Sequence, residues 1–123
     1  MKVRFPSALL MCVCCALLLL ALPISLFAHA VLVQSTPQAG SKVKGPDVSI
    51  QLKFNVRIDG VRSRCTLVGP DGQKKGVALE SQPQPDVLAG KAAGLLPGAY
   101  KLQWQVLAAD GHISRGEFTF NVE

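Results

Sequence analysis

The two histidines of this chain, His29 and His112, are the residues whose chemistry is easiest to interpret. If the chain is cut directly before His29, that residue offers two metal donors, its imidazole and a free α-amine. His112 lies in the motif Asp110-Gly111-His112, and residues at i and i+2 of an extended segment project from the same face. Copper(II) prefers a tetragonal set of nitrogen and oxygen donors. These residues therefore predict one Cu(II) site formed by His29, Asp110 and His112.

The first 28 residues have the composition of a secretory signal peptide. Lys2 and Arg4 form a basic start, residues 8–22 are an unbroken apolar run, and residues 23–28 begin with proline and end with alanine. The alternative is an uncleaved membrane anchor, because residues 8–33 hold enough apolar residues to span a bilayer. The proline and the short apolar run favour cleavage. We therefore expect a signal peptide over residues 1–28 and one exported domain over residues 29–123.

The position of the cut has two candidates. Cleavage after Ala28 exposes His29 as the first residue of the mature protein. Cleavage after Ala30 fits the small-x-small preference of signal peptidases better, and it would discard His29. The metal chemistry of a terminal histidine favours the first position.

Charge and cysteine content narrow the range of functions. The net charge is +5, and removal of the two basic residues of the signal leaves +3, with the positive residues scattered and not interleaved with aromatic residues. We therefore expect no nucleic-acid partner. Three of the four cysteines lie in the apolar run, so the domain keeps Cys65 alone and cannot form an intrachain disulfide. Cys65 alternates in phase with Leu67, which predicts a buried thiol.

Alternation of apolar and polar residues dominates the domain and predicts strands with one buried face. The clearest runs are 48–56, 64–67, 100–106 and 117–122. Glycine and proline turn signals at 69–72 and 97–98 separate them. About six to eight short strands of this kind predict an all-β fold, a small antiparallel Greek-key β-sandwich. The metal site then requires the first short strand, 30–34, to begin beside the turn between the last two strands.

Several segments of the domain resemble the CopC/PcoC copper-resistance family. They are residues 29–37, which begin His-Ala-Val-Leu-Val, residues 50–54, residues 95–106, the motif at 110–112, and residues 116–122. The resemblance covers essentially all of residues 29–123. It implies a periplasmic, cupredoxin-like β-barrel or sandwich that binds Cu(II) and delivers copper to an inner-membrane partner of the CopD type. It also implies His29 as a bidentate terminal ligand, His112 as the second imidazole and Asp110 as the carboxylate.

Two departures from the family pattern limit the expected chemistry. Val56 stands where some members have a glutamate, so that extra carboxylate is missing. Some members carry a methionine-rich Cu(I) site, whereas residues 29–123 contain no methionine. We therefore expect a single Cu(II) ion and no Cu(I) site of that type.

These observations predict a periplasmic, non-enzymatic protein of copper homeostasis or resistance, with no polysaccharide ligand. One alternative is a copper-brace monooxygenase, since a terminal histidine with a second histidine also describes that site. The small size, the lack of a flat aromatic surface and Asp110 as an equatorial donor argue against it. The other alternative is an immunoglobulin-like envelope module without metal. Import and detoxification remain equally open, as does the oligomeric state.

Overall fold

The computed structural model describes Met11 and residues 29–123, and the chain from His29 onward forms a two-sheet β-sandwich. The predicted all-β fold is confirmed, whereas the predicted signal peptide lies outside the described residues apart from Met11. In the described part of the chain, no helix is long and apolar enough to cross a membrane. The strands are β1 Leu32–Thr36, β2 Lys42–Val43, β3 Val48–Phe54, β4 Ile58–Val68, β5 Lys74–Gly76, β6 Ala78–Leu79, β7 Val87–Ala92, β8 Gly98–Ala108 and β9 Ile113–Val122.

The nine strands form two sheets with crossovers between them. One sheet has the order β1-β3-β7-β6, and the other has the order β2-β9-β8-β4-β5. The strand pairs are antiparallel, except that the two-residue β2 runs parallel to β9. β1 pairs with β3 and not with β9, and Ala30, just before β1, reaches β9 in the other sheet.

The core lies between the two sheets because each long strand buries alternate residues. β3 and β8 show this pattern most clearly, with every second residue buried. The Phe54 and Trp104 rings meet edge to face across the core, with centroids 5.1 Å apart. Gly116 lies opposite Trp104 on β9, and a Cβ at position 116 would overlap the indole ring. Cys65 is 3% exposed, which confirms the prediction that it is buried.

β4 is longer than the alternating run at 64–67 predicts, because it contains a bulge. Its register with β8 shifts between Asp59 and Arg64. The N–H of Arg62 donates to Asp59 Oδ1 at 3.1 Å, and the Ser63 hydroxyl donates to the carbonyl oxygen of Asp59. Ser63 Oγ also accepts a hydrogen bond from the N–H of Leu107 at 3.3 Å. These bonds fix the bulge against β8.

Candidate metal centre

The turn between β8 and β9 positions Asp110 and His112. Gly111 adopts a positive φ of 87°, and its N–H donates to the carbonyl oxygen of Ala108 at 2.9 Å. The N–H of Ala108 in turn donates to the carbonyl oxygen of His112 at 2.8 Å. The segment is thus a tight turn, whereas the sequence alone predicts an extended run in which Asp110 and His112 project from one face. The two side chains are brought together by the turn itself.

Asp110 and His112 contact each other directly. Asp110 Oδ1 accepts a hydrogen bond from the backbone N–H of His112 at 3.0 Å, and Asp110 Oδ2 lies 3.1 Å from His112 Nδ1. The backbone N–H of His112 lowers the pKa of the Asp110 carboxyl below its ordinary value, against an opposing effect of burial. The His112 side chain and the nearby His29 lower it further. The carboxylate is therefore ionised at neutral pH and can act as an oxygen donor.

His29 is held at the same end of the sandwich by its neighbours in the chain. The N–H of Ala30 donates to Ser114 Oγ at 3.0 Å, and this bond is buried. The N–H of Val31 donates to Asn55 Oδ1 at 2.8 Å, and the N–H of Asn55 returns a bond to the carbonyl oxygen of Val31 at 3.0 Å. The segment after His29 is thus fixed to both sheets.

The imidazole rings of His29 and His112 lie beside each other. Their centroids are 5.6 Å apart and their planes make an angle of 70°. With metal–nitrogen bonds of about 2.0 Å, two imidazoles on one ion have ring centres roughly 4.5 Å apart in adjacent positions and roughly 6.3 Å apart in opposite ones. The observed spacing lies between these limits. Both side chains are exposed, so an ion can reach them from solvent.

The donor set is incomplete in the 123-residue chain. Within the described residues, the side chains of His, Cys, Asp and Glu form no group of three placed to hold a metal ion. Asp110 Oδ2 is engaged by the His112 ring. The nitrogen of His29 is a peptide nitrogen as long as residue 28 is attached, and it becomes an amine only when the chain is cut there. The structure therefore brings His29, Asp110 and His112 together without completing a metal site.

Other residues near the turn shape the surroundings of the site. The Nε of Arg115 donates to Gln105 Oε1 at 2.9 Å. Val56 is half-buried against the core and offers no ligand. Neither Asn55 nor Ser114 is among the site residues predicted from the sequence. Their role is to fix the backbone beside His29, and a polar residue on the buried face of β9 was the available signal for Ser114.

The fold and the residues at this turn define a small β-sandwich protein with a candidate metal centre at one end of the sandwich. Residues 32–123 match the CopC domain family, and the chain belongs to that family. The resemblance seen in the sequence is thereby confirmed.

Individual relatives cover most of the chain at modest identity. The copper resistance protein C of Xanthomonas campestris pv. juglandis is 30% identical over 110 residues, which cover 80% of this chain and 84% of that protein. The crystal structure of CopC from Methylosinus trichosporium OB3b has 28% identity and a TM-score of 0.69, and the match covers 77% of this chain and 94% of that one. PcoC from Escherichia coli, described as a methionine-rich copper resistance protein, has 30% identity and a TM-score of 0.62 over 78% of this chain and 100% of that one.

Proposed function

We propose that this protein binds one Cu(II) ion outside the cytoplasm and serves copper homeostasis or resistance without catalysing a reaction. The observation that carries this proposal is the convergence of His29, His112 and Asp110 at one end of a CopC-family sandwich. The named relatives support the metal, since two of the proteins to which this chain is similar are named as copper resistance proteins.

The proposed ligands are two nitrogens of His29, one imidazole nitrogen of His112 and a carboxylate oxygen of Asp110. Removal of residues 1–28 would convert the His29 nitrogen into an amine, which with its own imidazole closes a chelate ring. Three nitrogens and one oxygen match the tetragonal preference of Cu(II). Asp110 Oδ1 accepts a hydrogen bond from the backbone N–H of His112. Oδ2, which contacts the His112 ring, is therefore the oxygen that would bind the ion in place of that contact.

Cu(II) is favoured over Cu(I) because the domain offers no accessible soft ligand. Residues 29–123 contain no methionine. The one thiol, Cys65, is buried, and burial raises its pKa to about 12. Thiolate and thioether ligands are the ones that select Cu(I). An ion held by imidazole, amine and carboxylate groups is therefore the divalent one.

Transfer of the ion to a partner is the second part of the proposal. The His112 side chain is 60% exposed and the Asp110 side chain 36% exposed, so ligands of another protein can approach the ion. The family resemblance implies an inner-membrane acceptor of the CopD type, reached from the periplasm. An exposed site at the end of a rigid sandwich suits such a transfer better than an enclosed cavity.

Copper titration of defined N-termini tests the proposal. Protein that begins at His29 is titrated with Cu(II) by calorimetry and electron paramagnetic resonance, beside the same protein acetylated at its terminal amine. We expect one equivalent with a nitrogen-rich axial spectrum for the first form, and at least about tenfold weaker binding for the second, because its His29 nitrogen is an amide. Equal affinity of the two forms would rule out the amine as a ligand.

His112→Ala provides the matching test of the second imidazole. The side chain is exposed, so we expect the melting temperature to stay within a few degrees while Cu(II) affinity falls by roughly two orders of magnitude or more. Lys44→Ala, an exposed substitution on the segment between β2 and β3, serves as the control for a surface change. Unaltered copper affinity in His112→Ala would remove His112 from the site.

A further inference from the structure

The outer face of the five-stranded sheet carries a groove of about 490 Å³ that is separate from the His29–Asp110–His112 cluster. Side chains of β4, β8 and β9 line it, among them Arg64, Gln103, Gln105, Arg115 and Glu117. The groove is an open trough on a sheet face and not an enclosed cavity. A drug-sized ligand normally buries most of its surface in its pocket, so an extended chain that continues beyond the trough fits it better than a small molecule.

Two arginines lie in one row across this groove. Arg64 on β4 is paired in register with Gln105 on β8, and Gln105 is paired with Arg115 on β9. Neighbouring strands lie about 4.8 Å apart, so the backbones of the two arginines are roughly 10 Å apart. Both side chains are exposed on the same face. The row can therefore engage two carboxylates of one ligand at the same time.

Neither arginine is neutralised by a carboxylate. Among the ion pairs found in the described residues, none includes Arg64 or Arg115. Arg115 donates its Nε to Gln105 Oε1, which orients the guanidinium and leaves its terminal N–H groups for a ligand. The nearby carboxylate of Glu117 is instead engaged by Lys101 at 3.4 Å and Gln103 at 3.1 Å.

The basic groups of the domain are distributed unevenly. The arginines of the domain are confined to residues 57–64 and to position 115, close to the β8–β9 turn. The N–H of Ala109 in that turn donates to the carbonyl oxygen of Arg57 at 3.1 Å. Four of the seven lysines of the domain are paired with carboxylates, namely Lys42, Lys53, Lys91 and Lys101. The arginines without a carboxylate partner in the described residues, Arg57, Arg64 and Arg115, thus lie near this turn, and the lysines without one, Lys44, Lys74 and Lys75, lie elsewhere.

Apolar side chains lie between the arginine row and the turn. Leu107 and Ile113 form the next outward-facing row of the sheet, and Ile113 is 49% exposed. Val61 stands on the β4 bulge with 97% of its surface exposed. The bulge is fixed by the Asp59 and Ser63 hydrogen bonds described above, so Val61 is presented by an ordered backbone.

We propose that this face binds an extended acidic segment of a partner protein, with its carboxylates on Arg64 and Arg115 and its apolar side chains against Leu107, Ile113 and Val61. Charge complementarity is the main argument, because arginine binds carboxylates in a bidentate manner and is enriched in protein interfaces. A partner held here would lie beside the candidate metal centre. The proposal does not rest on copper binding, since none of these residues belongs to the proposed ligand set.

Peptide titration without metal tests the proposal. The probe is the acetylated, amidated pentapeptide Glu-Val-Glu-Val-Glu, added to the isotope-labelled purified protein and followed by NMR. We expect shifts centred on Arg64, Gln105 and Arg115, and affinity reduced by about tenfold or more in the double variant Arg64→Gln, Arg115→Gln. The control double variant Lys44→Gln, Lys74→Gln removes the same charge away from the groove, and its affinity should stay within about twofold.

Three outcomes would overturn the proposal. Equal weakening in both double variants would mean that the peptide follows net charge alone. Equal binding of the Gln-Val-Gln-Val-Gln peptide would mean that carboxylates are not recognised. Free citrate binding at the same residues as tightly as the acidic peptide would identify a small-anion site and not a protein-docking face. Each of these results can be interpreted even if the protein fails to bind copper in the separate titration, because the peptide experiment contains no metal.

Discussion

The two carboxylate oxygens of Asp110 make different contacts. Oδ1 accepts the backbone N–H of His112 and so holds the turn, whereas Oδ2 faces the His112 ring. The lowered pKa of this carboxyl follows mainly from the first contact. In the proposed copper site, an ion that took Oδ2 would therefore leave in place the bond that shapes the turn. The turn would then not need to refold when the ion enters or leaves.

Cys65 makes the stability of the protein sensitive to alkaline pH. Burial raises the pKa of its thiol from 9.0 to about 12. The fold favours the neutral thiol, so its stabilising effect is complete below pH 9 and is lost as the pH rises towards 12. The free energy of unfolding should then fall by up to about 1.4 kcal/mol per pH unit from this group.

Urea unfolding of the protein and of Cys65→Ala, from about pH 8 to about pH 11, measures this effect. Tyrosine and lysine titrate in the same range in both proteins, so the informative quantity is the difference between the two pH slopes. The substitution should cost stability at pH 8 because it leaves a small cavity, and yet flatten the alkaline decline. Parallel slopes would show that the Cys65 thiol does not contribute.

The candidate ligands could be predicted from the sequence. The contacts that hold them in position could not. A histidine at a possible mature N-terminus and an Asp-x-His motif are visible as residue types. Ser114 and Asn55 could not be recognised because they bind backbone groups 84 and 24 residues away in the chain. Such contacts depend on how the sheets pack, which residue patterns do not specify.

The hydrogen bond from Ala30 to Ser114 connects the segment before β1 to β9 in the opposite sheet. Ser114→Ala leaves a buried N–H without an acceptor, so we expect a loss of about 1 to 3 kcal/mol in the free energy of unfolding. Cu(II) affinity should also fall, because His29 is no longer held beside His112. Ser49→Ala on the exposed face of β3 is the matched control. Copper affinity and stability equal to those of the control would contradict this role.

The pairing of β8 with β9 depends on a glycine opposite the tryptophan. Gly116→Ala places a methyl group against the Trp104 ring, which Phe54 contacts from the other sheet, so we expect a cost of about 1 to 3 kcal/mol. Gly76→Ala in β5 meets nothing within 4 Å and should change stability by less than about 0.5 kcal/mol. Chemical denaturation of both variants gives the comparison. Equal stabilities would show that the indole can move aside.

The long strands could be predicted because apolar and polar residues alternate along a strand that has one buried face. β3, β8 and β9 follow that pattern over their length. The start of β4 escaped prediction because its bulge interrupts the alternation between 59 and 64. The short strands β2, β5 and β6 carry too few residues for a period to be seen. Their pairing is set by neighbours in the sheet and not by their own residues.

At the scale of the whole domain, two candidate surfaces share one end of the sandwich. Near the β8–β9 turn lie the candidate metal centre, the row of Arg64 and Arg115, and the exposed side chains of Val61 and Ile113. The hydrogen bonds of the bulge and of the β8–β9 turn keep this end ordered. The proposed copper site and the proposed docking face are therefore adjacent, as transfer of an ion to a bound partner would require.

The N-terminus of the mature protein decides whether the proposed metal centre can be completed. A cut after residue 28 leaves 95 residues and places the new amine directly before Ala30, whose N–H is fixed on Ser114. A cut after Ala30 would remove His29 and leave Ser114 Oγ without that donor. Intact-mass measurement of the protein recovered from the periplasm should therefore show a chain that begins at His29. A chain that begins at Val31, or one that keeps residues 1–28, would contradict the proposed ligand set even if the fold were unchanged.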